Sequence, residues 1–304
     1  MAHDPGFRQF ENKADRAATG FIREAHQRAL YWRQHRAVNP EKFKSVPPEE
    51  AKRDADYAKR MDQRFAMQNN NEESTIAGVF EVGLWWLTRT KKLLGEQTSA
   101  VLPSRFDDIV NGVDLILEIL KENEPVSQVG VGIDATFGYD KVHVKLADLG
   151  DKVAHGEGAK VKYYLSSDGE ERALTGVPRV IIGLSVDHAR ELAQLWRRAE
   201  SGEQLAITPD KHPLRVLILQ QLVTQTGALA ALARSQGNEV LADAYATAFK
   251  RLNPIYQTAL AGMTEKSWKN PKDDTDYRQD PIHQAIVEKT KVWRSESGPQ
   301  KQAA

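Results

Sequence analysis

The 304-residue sequence contains no cysteine. Disulfides, thiolate metal sites and a cysteine nucleophile are therefore excluded. Lys plus Arg and Asp plus Glu number 42 each, so there is no net charge to attract polyanions over the whole surface. This neutrality does not exclude nucleic-acid binding, because a local basic groove is sufficient.

Several common signals are also missing. We find no apolar run approaching the roughly 20 residues that a membrane span needs, and MAHDPGFRQF lacks the apolar core of a secretory signal. We therefore expect a cytoplasmic protein with no membrane partner. The sequence has no G-x-S-x-G, P-loop or G-x-G-x-x-G motif. It therefore gives no sign of the serine nucleophile of α/β-hydrolases, of a P-loop nucleotide site or of a dinucleotide-binding site.

The most informative stretch, residues 104–145, contains two short apolar runs that each carry an unexpected acid. Strand alternation divides the first run between two faces. One face has Val113, Leu115, Leu117 and Ile119, and the other has Asp114, Ile116 and Glu118. In the second run, VGIDATF, the polar face has Asp134 and Thr136. If the strands pair in register, Asp114 and Asp134 approach within a few ångströms, where two carboxylates repel unless a cation or proton lies between them.

Periodicity and turn residues predict the surrounding elements. Residues 1–12 and the C-terminal end are expected to be disordered. Helices are predicted at 13–35, 48–68, 75–94 (with Ser74 as N-cap), 140–154 and 186–200 (with Ser185 as N-cap), followed by a helical hairpin that turns near Gly237 and contains a disruptive Pro254. Strands are predicted at 106–110, 113–119, 130–137, 160–167 and 179–185, with a hairpin turn at Asn111-Gly112 and a turn-rich segment at 168–178.

Glu81 lies within the nearly all-apolar centre of the helix predicted at 75–94. A lone buried carboxylate is costly, so Glu81 either pairs with an arginine, points along a groove to solvent, or faces the same cation as the two strand aspartates. The arginines of the first helix, such as Arg28 and Arg33, are expected to form a solvated face, with phosphate contact as the alternative.

The centre of the chain is predicted to contain, in order, a helix, hairpin strands that include DDIVNGVD, a strand that includes GIDAT, a helix and a strand. This order resembles the core of the PD-(D/E)XK nuclease superfamily, over roughly residues 72–190. The resemblance implies that Asp114 and Asp134 hold Mg²⁺ (or Mn²⁺), that Glu81 joins them as a metal ligand, and that DNA is the substrate. The family lysine that helps to activate water is replaced by Thr136, so the resemblance requires Lys141 or Lys145 on the next helix as its substitute.

We therefore expect an α/β protein with a restriction-endonuclease-like αβββαβ core. Its predicted parts are an N-terminal helical extension (1–70), the nuclease-like core (71–205) and a C-terminal helical region (206–304), whose helices are the candidate surface for homo-oligomerisation. The leading hypothesis is a divergent Mg²⁺-dependent DNA nuclease. The rival is a catalytically lapsed module that binds nucleic acid or protein. A third interpretation gives Asp114 and Asp134 only a structural role, capping turns at strand or sheet edges.

Overall fold

A computed structural model describes residues 5–68, 72–119, 129–136, 139–270 and 274–297 of the chain. Within these ranges the chain forms nine α-helices and six β-strands. The helices are α1 (Pro5–Arg36), α2 (Pro48–Gln68), α3 (Glu72–Lys91), α4 (Arg105–Asn111), α5 (Tyr139–Ala154), α6 (Val186–Glu200), α7 (Pro213–Ser235), α8 (Glu239–Ala261) and α9 (Pro281–Glu296). The strands are β1 (Thr98–Val101), β2 (Leu115–Ile119), β3 (Val129–Thr136), β4 (Ala159–Leu165), β5 (Glu171–Val177) and β6 (Arg179–Gly183).

Four of the strands form a mixed sheet in the order β1-β2-β3-β6, which confirms the α/β class. β1, β2 and β3 pair antiparallel, whereas β6 lies parallel to β3. Parallel neighbours need a crossover connection, and the chain between β3 and β6 includes helix α5. The remaining strands, β4 and β5, form a separate antiparallel hairpin within that connection.

The two faces of the sheet pack against different partners. On one face, Leu117 and Ile133 belong to the largest hydrophobic core, which includes Phe80 of α3 and residues of α6 to α9. On the other face, Ile116 packs with Tyr164 of the β4–β5 hairpin in a second, smaller cluster. Because neighbouring residues of β2 face different cores, its apolar run is nearly continuous.

Helix α7 is a long, strongly apolar helix of the core. It is the one described helix that is long and apolar enough to cross a membrane by length and composition, which the sequence inspection overlooked. In the fold, 78% of its most apolar window is buried inside the protein. Packing within the core therefore accounts for its composition.

The largest error of the sequence interpretation concerns residues 106–110, which are helical rather than a strand. The Ser104 side chain accepts a hydrogen bond from the backbone N–H of Asp107 and so caps α4 at its N-terminus. Gly112 ends α4 in the left-handed conformation, with φ of +61°. The Asn111-Gly112 signal is thus a helix C-terminus and not a hairpin turn.

Other boundaries also differ from the prediction. Helix α1 begins at Pro5, so the prediction of disorder is wrong for residues 5–12, and α3 begins at Glu72, before the predicted cap at Ser74. The segment at 168–178 contains strand β5, and β1 was not predicted at all. The helix α8 continues through Pro254 without interruption. The predicted cap at Ser185 and the predicted turn near Gly237 agree with the structure.

The outer edge of β6 is closed by side chains instead of another strand. The Gln225 amide accepts a hydrogen bond from the Ile181 N–H (3.0 Å) and donates one to the Ile181 carbonyl (2.7 Å). Gln221 makes the same pair of bonds with Gly183, at 3.0 and 2.9 Å, and the Tyr245 hydroxyl bonds both backbone groups of Arg179. Unpaired strand edges are templates for further pairing, and here α7 and α8 occupy that edge.

Replacing Gln225 with leucine should destabilise the protein by roughly 2 to 4 kcal/mol, because it leaves the N–H and C=O of Ile181 buried without partners. Urea unfolding of Gln225→Leu would measure the loss. Gln220→Leu is the matched control, since Gln220 is half-buried on the same helix. Equal stability of the two variants would contradict the proposed role of Gln225.

Candidate functional site

The predicted strand acids meet at one end of the β2–β3 pair. The register that pairs Leu115 with Ile133 brings Asp114 alongside Asp134, and the Asp114 N–H donates to the Ile133 carbonyl at 2.9 Å. One carboxylate oxygen of Asp114 accepts a hydrogen bond from the Ala135 N–H at 2.8 Å. Asp114 therefore ties together the two strand ends, a contact that agrees with the predicted capping role without excluding a ligand role.

Asp134 is almost completely buried, with 4% of its surface exposed. One of its oxygens accepts a hydrogen bond from the amine of Lys145 on α5, and the other accepts one from the guanidinium of Arg179 at the start of β6. The Lys145 amine also lies 3.4 Å from the Ala135 carbonyl. Of the two candidate lysines, Lys145 thus contacts a predicted metal ligand, while Lys141 is exposed in the first turn of α5.

Glu81 and a fourth acid, Asp108, share one arginine from the N-terminal helix. Arg33 of α1 forms an ion pair with Glu81 on α3 and another, at 2.8 Å, with Asp108 on α4. Asp108 also pairs with Arg105, which in turn lies 2.7 Å from Asp62 of α2. The arginine-paired alternative for Glu81 is therefore the arrangement found, and Arg33 belongs to this buried network instead of a solvated face.

Two of the four acids, Asp108 and Asp114, have pKa values that are shifted in opposite directions. Burial raises the pKa of Asp114 well above its usual range, and the charges of Asp108 and Asp134 raise it further. Burial also opposes ionisation of Asp108, but Arg33 and Arg105 outweigh it and hold the pKa of Asp108 below its usual value. The negative charge of Asp108 therefore works against ionisation of Asp114.

Thr136 and Glu118 have mainly structural surroundings. Thr136, at the position of the family lysine, is buried, and its methyl group lies close to Gly183 of β6. Glu118 is fully buried and accepts hydrogen bonds from the Tyr164 hydroxyl (2.6 Å) and the Ser167 N–H (2.9 Å). Both side chains therefore help to hold the sheet against its neighbours.

Sequence reasoning missed Asp108 and Arg179 and assigned Arg33 a surface role. Asp108 lies in the segment for which the sequence predicts a strand. Because the segment is helical, the direction and neighbours of its side chain could not be predicted. Arg179 is the first residue of β6, and its guanidinium lies against Gly112, where an added Cβ would come within 2.8 Å of it. The glycine two residues before the first strand acid was the one sequence signal for this close approach.

Within the described ranges, no group of three or more His, Asp or Glu side chains is arranged to hold a metal ion. Glu81 is engaged by Arg33, and Asp134 by Lys145 and Arg179. Asp114 and Asp134 remain the pair of carboxyl groups whose mutual repulsion a cation would relieve.

Comparison with protein-family models, with curated proteins and with solved structures gives no significant match. The geometry of the site is therefore the basis for its interpretation.

Replacing Asp114 with asparagine should make the protein progressively more stable than the wild type as pH rises. A folded-state pKa above the unfolded one contributes stability at low pH, and this contribution is lost as pH rises through the folded-state pKa. Asparagine cannot ionise, so Asp114→Asn escapes the loss, which reaches at most about 1.4 kcal/mol per pH unit. Urea unfolding of both proteins between about pH 4 and pH 8 would measure the difference, since an unperturbed aspartate has a pKa of about 3.9.

Asp148→Asn is the control for this comparison, because Asp148 is exposed on α5 and pairs with Lys152. The trend should be confined to Asp114→Asn. A constant difference in stability between Asp114→Asn and the wild type across the pH range would contradict the assigned repulsion.

Proposed function

We propose that this chain is a divergent PD-(D/E)XK-like nuclease that uses Mg²⁺ or Mn²⁺ to cleave DNA phosphodiester bonds. The observation that carries the proposal is the contact of Lys145 with Asp134, beside Asp114. A lysine from the following helix reaches the acid of the third strand, where the resemblance required a substitute for Thr136.

The order of elements supports the same proposal. Helix α3, the three antiparallel strands β1 to β3, helix α5 and the parallel strand β6 follow one another as α-β-β-β-α-β. Helix α4 and the β4–β5 hairpin are insertions into this order. Asp114 directly precedes the second strand, and Asp134 lies on the third.

The two strand acids suit a hard divalent cation. Mg²⁺ is commonly held by one or two carboxylates, with water and substrate phosphate as the other ligands, so Asp114 and Asp134 suffice as protein ligands. A bound ion would polarise the phosphoryl oxygen and lower the pKa of the attacking water. Glu81 can join as a third ligand only if Arg33 releases it, since the two are now paired.

The basic residues have separate roles in this proposal. Lys145 holds its amine between Asp134 and the Ala135 carbonyl, where it can orient the attacking water or exchange a proton with it. Arg179, on the other oxygen of Asp134, is positioned to offset negative charge on a phosphate. Arg33 offsets the negative charges of both Glu81 and Asp108.

A second function, a lapsed nuclease fold that serves as a binding module, is favoured by one specific observation. Glu81, Asp108 and Asp134 each already pair with a basic side chain. The protein's own basic side chains thus neutralise much of the negative charge that a metal ion would otherwise neutralise. In this alternative the pairs are permanent, and no metal ion enters the site.

The nuclease proposal predicts cleavage of labelled DNA that depends on Mg²⁺ or Mn²⁺. Asp134→Asn should abolish it, and Lys145→Ala should slow it by about 10²-fold or more, the usual effect of losing a general acid or base. Gel analysis of a single strand and a duplex, with each metal and with a chelator, would measure these rates. Lys152→Ala, which removes another lysine of α5, should cleave like the wild type.

Two results would separate the candidate functions. Cleavage that persists in both Asp114→Ala and Asp134→Ala would contradict the assigned site. A wild-type protein that binds DNA but never cleaves it, with any of these metals, would favour the lapsed module.

A further inference from the structure

An open groove of about 530 Å³ lies between helices α2 and α4. Arg53, Tyr57 and Arg60 line it from α2, and Phe106 and Val110 line it from α4. The three α2 residues are spaced four and three apart, so they share one face of the helix. They form an arginine–tyrosine–arginine row along the groove.

The row is accessible, and its ring is held in place. Arg53 and Arg60 are exposed, and Tyr57 retains 39% of its surface. The Tyr57 ring meets the edge of Phe106 at a centroid distance of 6.3 Å, and Phe106 in turn packs on Tyr163 at 6.0 Å. One part of Tyr57 is thus anchored while the rest faces solvent.

The charge of the groove is positive on balance. Two aspartates, Asp54 and Asp56, also line it. Asp54 is offset by Lys162, with which it forms an ion pair, and it also accepts a hydrogen bond from the Tyr163 hydroxyl at 2.8 Å. Arg53 and Arg60 therefore outweigh the remaining charge of Asp56.

The groove lies next to the acid cluster. Phe106 and Val110 face it from α4, whereas Asp108, between them in sequence, points to Arg33 and Asp114. The two sites are thus on different sides of one helix, whose diameter with side chains is about 10 Å.

We propose that this groove binds single-stranded nucleic acid, with a base stacked on Tyr57 and the flanking phosphates contacted by Arg53 and Arg60. At 1.5 Å of rise per residue, the arginines stand about 6 and 4.5 Å along the helix axis from Tyr57, on either side of it. A basic groove with an aromatic platform is the usual means of binding a single strand without sequence preference. The volume suits one or two nucleotides, since pockets of about 300 to 1,000 Å³ hold ligands of that size. A duplex module needs roughly 600 Å² of protein surface or more, which such a groove does not offer.

This inference deepens the proposed nuclease function by naming its substrate as a single strand, but binding can be measured without cleavage. Fluorescence anisotropy of a labelled 12-nucleotide oligo-dT, with a chelator present, would give the affinity at several salt concentrations. Tyr57→Ala should weaken binding about tenfold or more, whereas Tyr57→Phe, which keeps the ring, should bind like the wild type. Arg53→Ala with Arg60→Ala should lower the slope of log affinity against log salt by about 0.7 for each lost phosphate contact.

The matched control is Lys52→Ala with Lys59→Ala, which removes two exposed charges from the same helix outside the groove lining. The control should retain most of the affinity and a steeper salt dependence than the arginine double variant. Equal losses in both double variants, tighter binding of the matching duplex, or equal competition by an acidic peptide would overturn the proposal. Binding by Asp134→Asn as strong as that of the wild type, together with absence of cleavage by either protein, would support the groove while refuting the nuclease.

Discussion

The neutralisation of buried carboxylates at one end of the sheet is the interaction on which the arrangement of this protein depends. Four acids converge there, and four basic side chains from different elements face them. The acids are Glu81, Asp108, Asp114 and Asp134, and the bases are Arg33, Arg105, Lys145 and Arg179. An unpaired buried charge costs several kcal/mol, so the elements that contribute Glu81, Asp108 and Asp134 are packed where a basic side chain reaches each acid. Because Arg33 pairs with both Glu81 and Asp108, the first helix is bound to helices α3 and α4 by charge.

The same neutralisation decides what the site can do. In the part of the chain that the structure describes, Asp114 is the acid of this network with no direct ion pair to a basic side chain: its carboxyl group accepts a hydrogen bond from the Ala135 N–H and lies near the charges of Asp108 and Asp134. A proton on Asp114 and a divalent cation beside it are two alternative ways to relieve the repulsion between Asp114 and the neighbouring carboxylates. Raising the pH favours the cation, because it removes the proton. An active site and a lapsed site then differ in free energy. A metal ion enters the site only if it stabilises the charges of Asp114 and Asp134 more than Lys145 and Arg179 already stabilise the charge of Asp134.

The strand acids and the lysine could be predicted from sequence because they lie in strongly patterned segments. Alternation placed Asp114 and Asp134 on the polar faces of two neighbouring strands, and the family resemblance named Lys141 and Lys145 of the following helix as candidate lysines. The alternation failed at Val113, which packs with Ile116 in the smaller core because the regular strand begins only at Leu115. Asp108 and Arg33 could not be foreseen, since their partnership joins residues 75 positions apart in the chain. Strand β5 has an irregular pattern of exposure, a glycine within it and another two residues before it, so its sequence resembles a turn.

Helix α4 shows how two adjacent identical residues can serve opposite sides of a fold. Asp107 is fully buried and accepts hydrogen bonds from the backbone N–H groups of Lys162 (2.7 Å) and Tyr163 (3.0 Å), which fixes the β4–β5 hairpin to the helix. Asp108, about 100° further round the helix, turns instead to Arg33 and the acid cluster. The seven-residue helix is too short to be stable alone, so these tertiary contacts hold it in place. A shift of the hairpin would therefore move α4 and with it Asp108, whose charge is one of the causes that raise the pKa of Asp114.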